Sequence, residues 1–191
     1  MRESRTSGVF PTMARMSGAR STAGDGRRAG GKRYRRAMQT TDQDTLTREL
    51  FVRVPPGRAF AAFVNLGRWW PREYTWSQDV LQTIGIEPRL GGACFERGPH
   101  NFECDWGRVL VWEPPGRIVF SWQIAFDRTP EPNPEKASEV EVRFTEEALG
   151  TRVVLEHRAF SRHGEKAAAY RAGMDSPSGW PMMLERFAKS V

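Results

Sequence analysis

From residue 46 onward the chain switches between two hydrophobic periods, and each switch predicts an element. Leu46–Val54 (LTRELFVRV) alternates in part and ends at Pro55-Pro56. A residue before proline is pushed to extended geometry, so this stretch reads as a first strand. Pro56–Val64 (PGRAFAAFV) sets Phe60, Phe63 and Val64 one helical turn apart behind a proline, which predicts a helix. Asn65–Trp70 predicts a second short helix or turn, stopped by Pro71. Apolar, β-branched and aromatic runs then follow at Val80–Pro88, Ala93–Arg97, Phe102–Trp112 and Arg117–Phe126, broken by RLGG, RGPHN and EPPG. Such punctuation predicts consecutive antiparallel strands. After a Pro-rich polar loop at 127–138, Glu139–Thr145 alternates Val140, Val142 and Phe144 with Glu139, Glu141 and Arg143. That pattern is a strand with one dry and one wet face. Thr151–Phe160 is a further strand with Val153, Leu155 and His157 on one face, and Gly164–Arg171 predicts a short helix over the sheet edge.

The last element is a helix over Gly179–Lys189, with Ser178 as the expected N-cap and Pro181 in its first turn. Trp180, Met183, Leu184, Phe187 and Val191 form one apolar stripe, with Glu185, Arg186 and Lys189 opposite. Burying side chains of this size is worth roughly 1.5–3 kcal/mol each, so the stripe must find a partner. The partner large enough is the concave face of the sheet, expected to present Phe120, Trp122, Val140, Val142, Leu155 and His157. The pattern therefore predicts one α+β domain at 46–191. It is a curved antiparallel sheet of about seven strands closed by the C-terminal helix.

The order strand, two helices, six strands, C-terminal helix is that of the helix-grip fold. The stretches VPPGRAFAAFVNLGRWWP (54–71), IEPRLGGACFERG (86–98), DWGRVLVWEPPGRIVFSWQI (105–124), TRVVLEHRAF (151–160) and DSPSGWPMMLERFA (175–188) resemble the SRPBCC (START/Bet v 1-like) superfamily. More closely they are similar to its bacterial branch related to the activator of the heat shock protein 90 ATPase. The resemblance implies a cavity between sheet and C-terminal helix that takes a small hydrophobic or aromatic ligand. The superfamily spans lipid carriers, polyketide cyclases, hormone receptors and co-chaperones, so the fold leaves the function open. A co-chaperone-like role in the stress response, with a chaperone as partner, and a cyclase or hydrolase-type enzyme are the two alternatives. No cofactor is implied. The expected ligand-binding residues are Trp70, Trp76, Phe120, Trp122, Val142, Leu155, His157, Trp180, Met183 and Phe187.

Charge changes this picture little. The chain carries 29 basic and 23 acidic residues, a net +6. The first 37 residues hold ten basic and two acidic ones, leaving 19 and 21, a net −2, for the rest. The folded part thus offers no excess positive charge for nucleic acid. Residues 1–45 are rich in Gly, Ser, Thr and Arg and are expected to be a disordered basic tail. Such a tail fits a nucleic-acid-binding arm, a transit-like presequence, or sequence upstream of an alternative start at Met38. The sequence has no stretch of 18 apolar residues and no signal-peptide core, which points to a cytoplasmic protein without a membrane helix.

The candidate chemistry is sparse. His157 is expected to face inward, as a general base, a ligand anchor or a hydrogen-bonded core histidine. His100 lies in a hairpin loop and His163 in a connecting segment, and three scattered histidines without paired carboxylates argue against a metal site. Cys94 and Cys104 flank RGPHN almost symmetrically and are expected to lie close across a hairpin as reduced thiols. Glu96, Glu103 and Asp105 on the same hairpin read as solvated carboxylates. Gly91-Gly92 lacks a phosphate-loop context and reads as a turn. The seven tryptophans suit either an aromatic-lined pocket or the packing of helices on a strongly curved sheet.

Overall fold

The computed structural model describes residues 44–191, so the expected basic tail and the alternative start at Met38 lie outside the described residues. Strand β1 (Thr45–Val52) leads through Pro55 into helix α1 (Pro56–Val64), whose first turn takes Pro56 because its missing N–H would have had no partner there. Three short 3-10 turns follow, at Leu66–Arg68, Arg72–Tyr74 and Gln78–Val80. Then come β2 (Thr83–Ile86), β3 (Ala93–Arg97), β4 (Glu103–Glu113), β5 (Arg117–Trp122), β6 (Ser138–Glu147) and β7 (Gly150–Arg158). A 3-10 segment at Phe160–Lys166, helix α2 (Ala167–Asp175) and helix α3 (Trp180–Lys189) complete the chain. The strands form one antiparallel sheet in the order β1-β7-β6-β5-β4-β3-β2. The chain meanders from β2 to β7, and β1 pairs with β7 as the expected helix-grip arrangement requires.

The sheet curves because β4 carries two irregularities. Asp105 pairs with Phe95 and Gly107 with Cys94, so Trp106 is an extra residue on β4; Leu110 is another, between Val109 and Val111. Each bulge bends its strand and reverses the inward parity, which is why Cys104, Trp106 and Val109 are all buried. Gly107 is required at the first bend, since a Cβ there would sit 2.2 Å from the Ser121 carbonyl oxygen. The bulge also corrects the expected cysteine geometry. Cys104 pairs with Glu96 while Cys94 pairs with Gly107, so the two thiols are not opposite each other; both are free and buried.

Other differences are local. The strand expected at 80–88 shrinks to Thr83–Ile86, because Val80 belongs to a 3-10 turn and is 61% exposed. The strand expected to reach Phe126 ends at Trp122, and beyond it one bridge joins Ile124 to Pro130. The N-cap of α3 is Gly179, not Ser178, whose carbonyl instead accepts from the Tyr74 hydroxyl at 2.8 Å. A Cβ at 179 would lie 2.2 Å from the Met174 carbonyl oxygen, so glycine lets α2 and α3 meet at a tight bend. Glu96 is not solvated. It is fully buried, and its carboxylate accepts the backbone N–H of Trp76 (3.0 Å) and Ser77 (2.6 Å), pinning the 3-10 turns to β3.

The core lies between the concave face and the helices. Phe63 of α1 meets Phe144 of β6 and Phe187 of α3 edge-on, with ring centroids 5.7 and 5.4 Å apart. The expected stripe holds: Trp180, Met183, Leu184 and Phe187 are buried, and Val191 packs against their cluster. On the opposite face Glu141 lies beneath Arg117, Arg143 and Arg158, at 2.8, 2.7 and 2.6 Å.

Candidate functional site

Alternation on β6 and β7 turns Ser138, Val140 and Val142 inward beside Val153, Leu155 and His157. His157 therefore enters the core fully buried, where an imidazole must find partners for both nitrogens. One partner comes from α3: Trp180 Nε1 donates to His157 Nδ1 at 3.1 Å. Indole N–H is a donor only, so Nδ1 accepts and the neutral ring carries its proton on Nε2. That proton meets Ser138 Oγ at 2.7 Å, and the same oxygen lies 2.8 Å from Nε2 of His163. Burial holds His157 well below the usual histidine range, with the neighbouring His163 acting in the same direction. Burial also lowers His163, against the opposing pull of Glu131. A second polar thread runs alongside: Trp122 Nε1 donates to the Tyr170 hydroxyl (2.7 Å), which donates to the Ile124 carbonyl (2.8 Å).

Aromatic rings fill the space around these threads. Trp122 lies 5.5 Å from Trp180, 5.6 Å from His157, 5.7 Å from Trp106 and 6.1 Å from Trp70, centroid to centroid. Phe160 lies against His157 at 4.2 Å. Trp106 Nε1 is buried and has no acceptor among the described residues.

Beside this cluster is a surface pocket of about 430 Å³. It is framed by the segment after β5 (Ala125, Phe126, Asp127), by Glu131 and Lys136 of the following loop, and by Arg162, His163, Gly164 and Lys166 before α2. His163 is the residue shared by the pocket wall and the buried thread.

The structure brings together most of the residues expected to bind a ligand. Phe120, Trp122, Val142, Leu155, His157, Trp180, Met183 and Phe187 are all buried in one cluster, with Trp70 half-buried against it. Trp76 is held toward its edge, its indole donating to the Arg128 carbonyl at 2.9 Å. None of the ten lines the 430 Å³ pocket. Sequence reasoning missed Ser138, Tyr170 and Lys166, and gave His163 no partner. Ser138 was within reach of the pattern. It sits two residues before Val140 on the inward parity of β6, but beginning that strand at Glu139 left it in the loop. His163 and Lys166 belong to an irregular segment with no period to read. Among the described residues no group of three or more His, Cys, Asp or Glu is placed to hold a metal ion, and no helix is long and apolar enough to cross a membrane.

The family model described as activator of Hsp90 ATPase homolog 1-like protein matches residues 53–191. A solved structure of an anthrahydroquino-gamma-pyrone synthase is 30% identical over 78% of this chain and 99% of that one, with a TM-score of 0.56. A protein of Nitrosomonas europaea aligns at 12% identity over 78% of this chain and 94% of its own, with a TM-score of 0.54. One of Rhodobacter sphaeroides aligns at 17% over 78% and 89%, with a TM-score of 0.53. These last two likenesses concern the fold alone. No curated protein matches the chain.

Proposed function

We propose, since the chain belongs to the family of activator of Hsp90 ATPase homolog 1-like proteins, that it binds a small hydrophobic or aromatic molecule in the pocket beside His163. This pocket is at the rim of the aromatic cluster that fills the space between the sheet and its C-terminal helix. The observation that carries this reading is the pocket itself: about 430 Å³, within the range of small-molecule sites, with a wall histidine tied by Ser138 to a buried aromatic cluster. Polar groups that fix orientation beside a large apolar surface are what a small-molecule site needs. Native mass spectrometry of the chain with a panel of polycyclic aromatics and fatty acids tests it. A one-to-one adduct that raises the melting temperature is expected, and a panel with no adduct would overturn the reading.

A second reading has support of its own. The relative at 30% identity is described as a synthase, and His163 places in the pocket wall a neutral imidazole that can donate a hydrogen bond to a substrate oxygen. Under this reading the ring N–H of His163 polarises a substrate carbonyl in the pocket. Turnover of an anthraquinone-type precursor, abolished by His163→Phe, would favour the enzyme; saturable binding without turnover would favour the carrier. A chaperone as partner and a place in the cytoplasm rest on the family's description and on the sequence.

A further inference from the structure

The hydrogen-bond thread that begins at Trp180 settles which nitrogen of His163 carries its proton. His157 holds its proton on Nε2, because Nδ1 accepts from the Trp180 indole. It therefore donates to Ser138 Oγ. The buried Ser138 hydroxyl still has its own hydrogen to place, and its other partner among the described residues is His163 Nε2 at 2.8 Å. An accepting Nε2 leaves the proton of the neutral His163 ring on Nδ1. The thread is thus directed from core to rim. Its far end is an N–H on a half-buried ring in the pocket wall. Protonating His163 on both nitrogens would strand the Ser138 hydrogen, so the donor offered here is a neutral one.

The charges around that ring are unevenly paired. Lys136 lies 4.0 Å from Glu131, and Arg162 lies 2.9 Å from Glu139 while donating to the Ala137 carbonyl. Asp127 accepts from both the backbone N–H and the hydroxyl of Thr129. Among the described residues Lys166 has no carboxylate within ion-pair distance. Phe126, 44% exposed, adds an apolar ring to the same pocket.

We propose that the pocket is a subsite for an anionic oxygen on an aromatic compound, a carboxylate or a phenolate. His163 Nδ1–H donates to that oxygen, Lys166 is its counter-ion and Phe126 packs against the ring. This rests on the small-molecule reading above and adds the polar group that the ligand must carry. A carboxylate suits the pair well, because it has two acceptor oxygens for one fixed N–H and one mobile ammonium.

The experiment has two arms on the full chain. Long-range nitrogen–proton NMR near neutral pH reads the tautomers directly, with Nδ1–H expected for His163 and Nε2–H for His157. An Nε2–H tautomer at His163 would overturn the inference without touching the binding reading. The second arm compares 2-naphthoate with 2-naphthamide, the same ring with a neutral head. The acid is expected to bind about tenfold more tightly, as a charge-assisted contact allows. Lys166→Met should reduce naphthoate to the affinity of naphthamide and leave naphthamide unchanged. Equal affinity of the two probes for the native chain would remove the anion subsite and leave the binding reading standing. No binding of either probe would remove both.

Discussion

The cluster beneath α3 and the pocket before α2 are joined through one serine, yet they are built on different terms. Under α3, Phe187, Trp180, Leu155 and Val142 are fully buried, and each ring meets its neighbours at 5–6 Å. Periodic strands and a periodic helix place them. Around the pocket, Lys136, Arg162 and Lys166 are exposed side chains on segments without period, and two of the three already face a carboxylate. The first region is close-packed core and the second is the proposed ligand subsite, with Ser138 Oγ in contact with a histidine of each.

The largest expected effect lies in the first region. Phe187→Ala removes a ring packed edge-on against Phe63 and Trp69 and should cost about 3–5 kcal/mol in urea unfolding. A loss below about 1 kcal/mol would mean that the core collapses around the gap and is not close-packed.

Acid should separate the regions next. In the unfolded chain His157 titrates near 6.5, while in the fold burial holds it well below that. The unfolded state then binds more protons in the window between the two values. The stabilisation is complete above about pH 6.5 and is lost as the pH falls through the window, with a slope approaching about 1.4 kcal/mol per pH unit. Half-buried His163, also lowered, adds a smaller slope of the same sign. His157→Gln, which keeps a donor and an acceptor, should flatten the dependence measured by urea unfolding across that window. An unchanged slope would place the titrating group elsewhere.

The outer face offers a milder contrast. Burial pushes the Glu141 carboxyl up, but the hydrogen bonds from Arg158 and Arg117 hold it below its ordinary value. Glu141→Gln leaves three guanidinium groups without their shared carboxylate and should cost about 1–2 kcal/mol, the part-exposed arginines keeping it modest. The smallest effect on stability belongs to the pocket. Lys166→Met should move the unfolding free energy by less than about 0.5 kcal/mol, since it breaks no contact of the core.

The same contrast explains what the sequence disclosed. The stripe Trp180, Met183, Leu184, Phe187 and the inward triplet Val153, Leu155, His157 were legible because burial imposes a period, and a period survives in sequence. The register of the β3–β4 hairpin was not. The extra residue Trp106 leaves the composition of β4 unchanged while carrying Cys94 out of line with Cys104. The burial of Glu96 was hidden for a related reason. Its partners are backbone N–H groups of Trp76 and Ser77, and backbone donors leave no mark in side-chain patterns. The pocket was the least legible. Ser138, His163 and Lys166 converge from a strand end and an irregular turn, where tertiary geometry alone brings them into one place.

The central claim is that a ligand lodges at the pocket beside His163 with the aromatic cluster behind it. Mapping amide and indole nitrogen–proton resonances of the full chain during titration with 2-naphthoate tests that most directly. The account predicts the first shifts at 125–127 and 162–166, followed by the indoles of Trp122 and Trp180, which the Tyr170 and His157 hydrogen bonds couple to the pocket side. Shifts confined to the outer face around Glu141 and Arg143, with the pocket and both indoles silent, would contradict it.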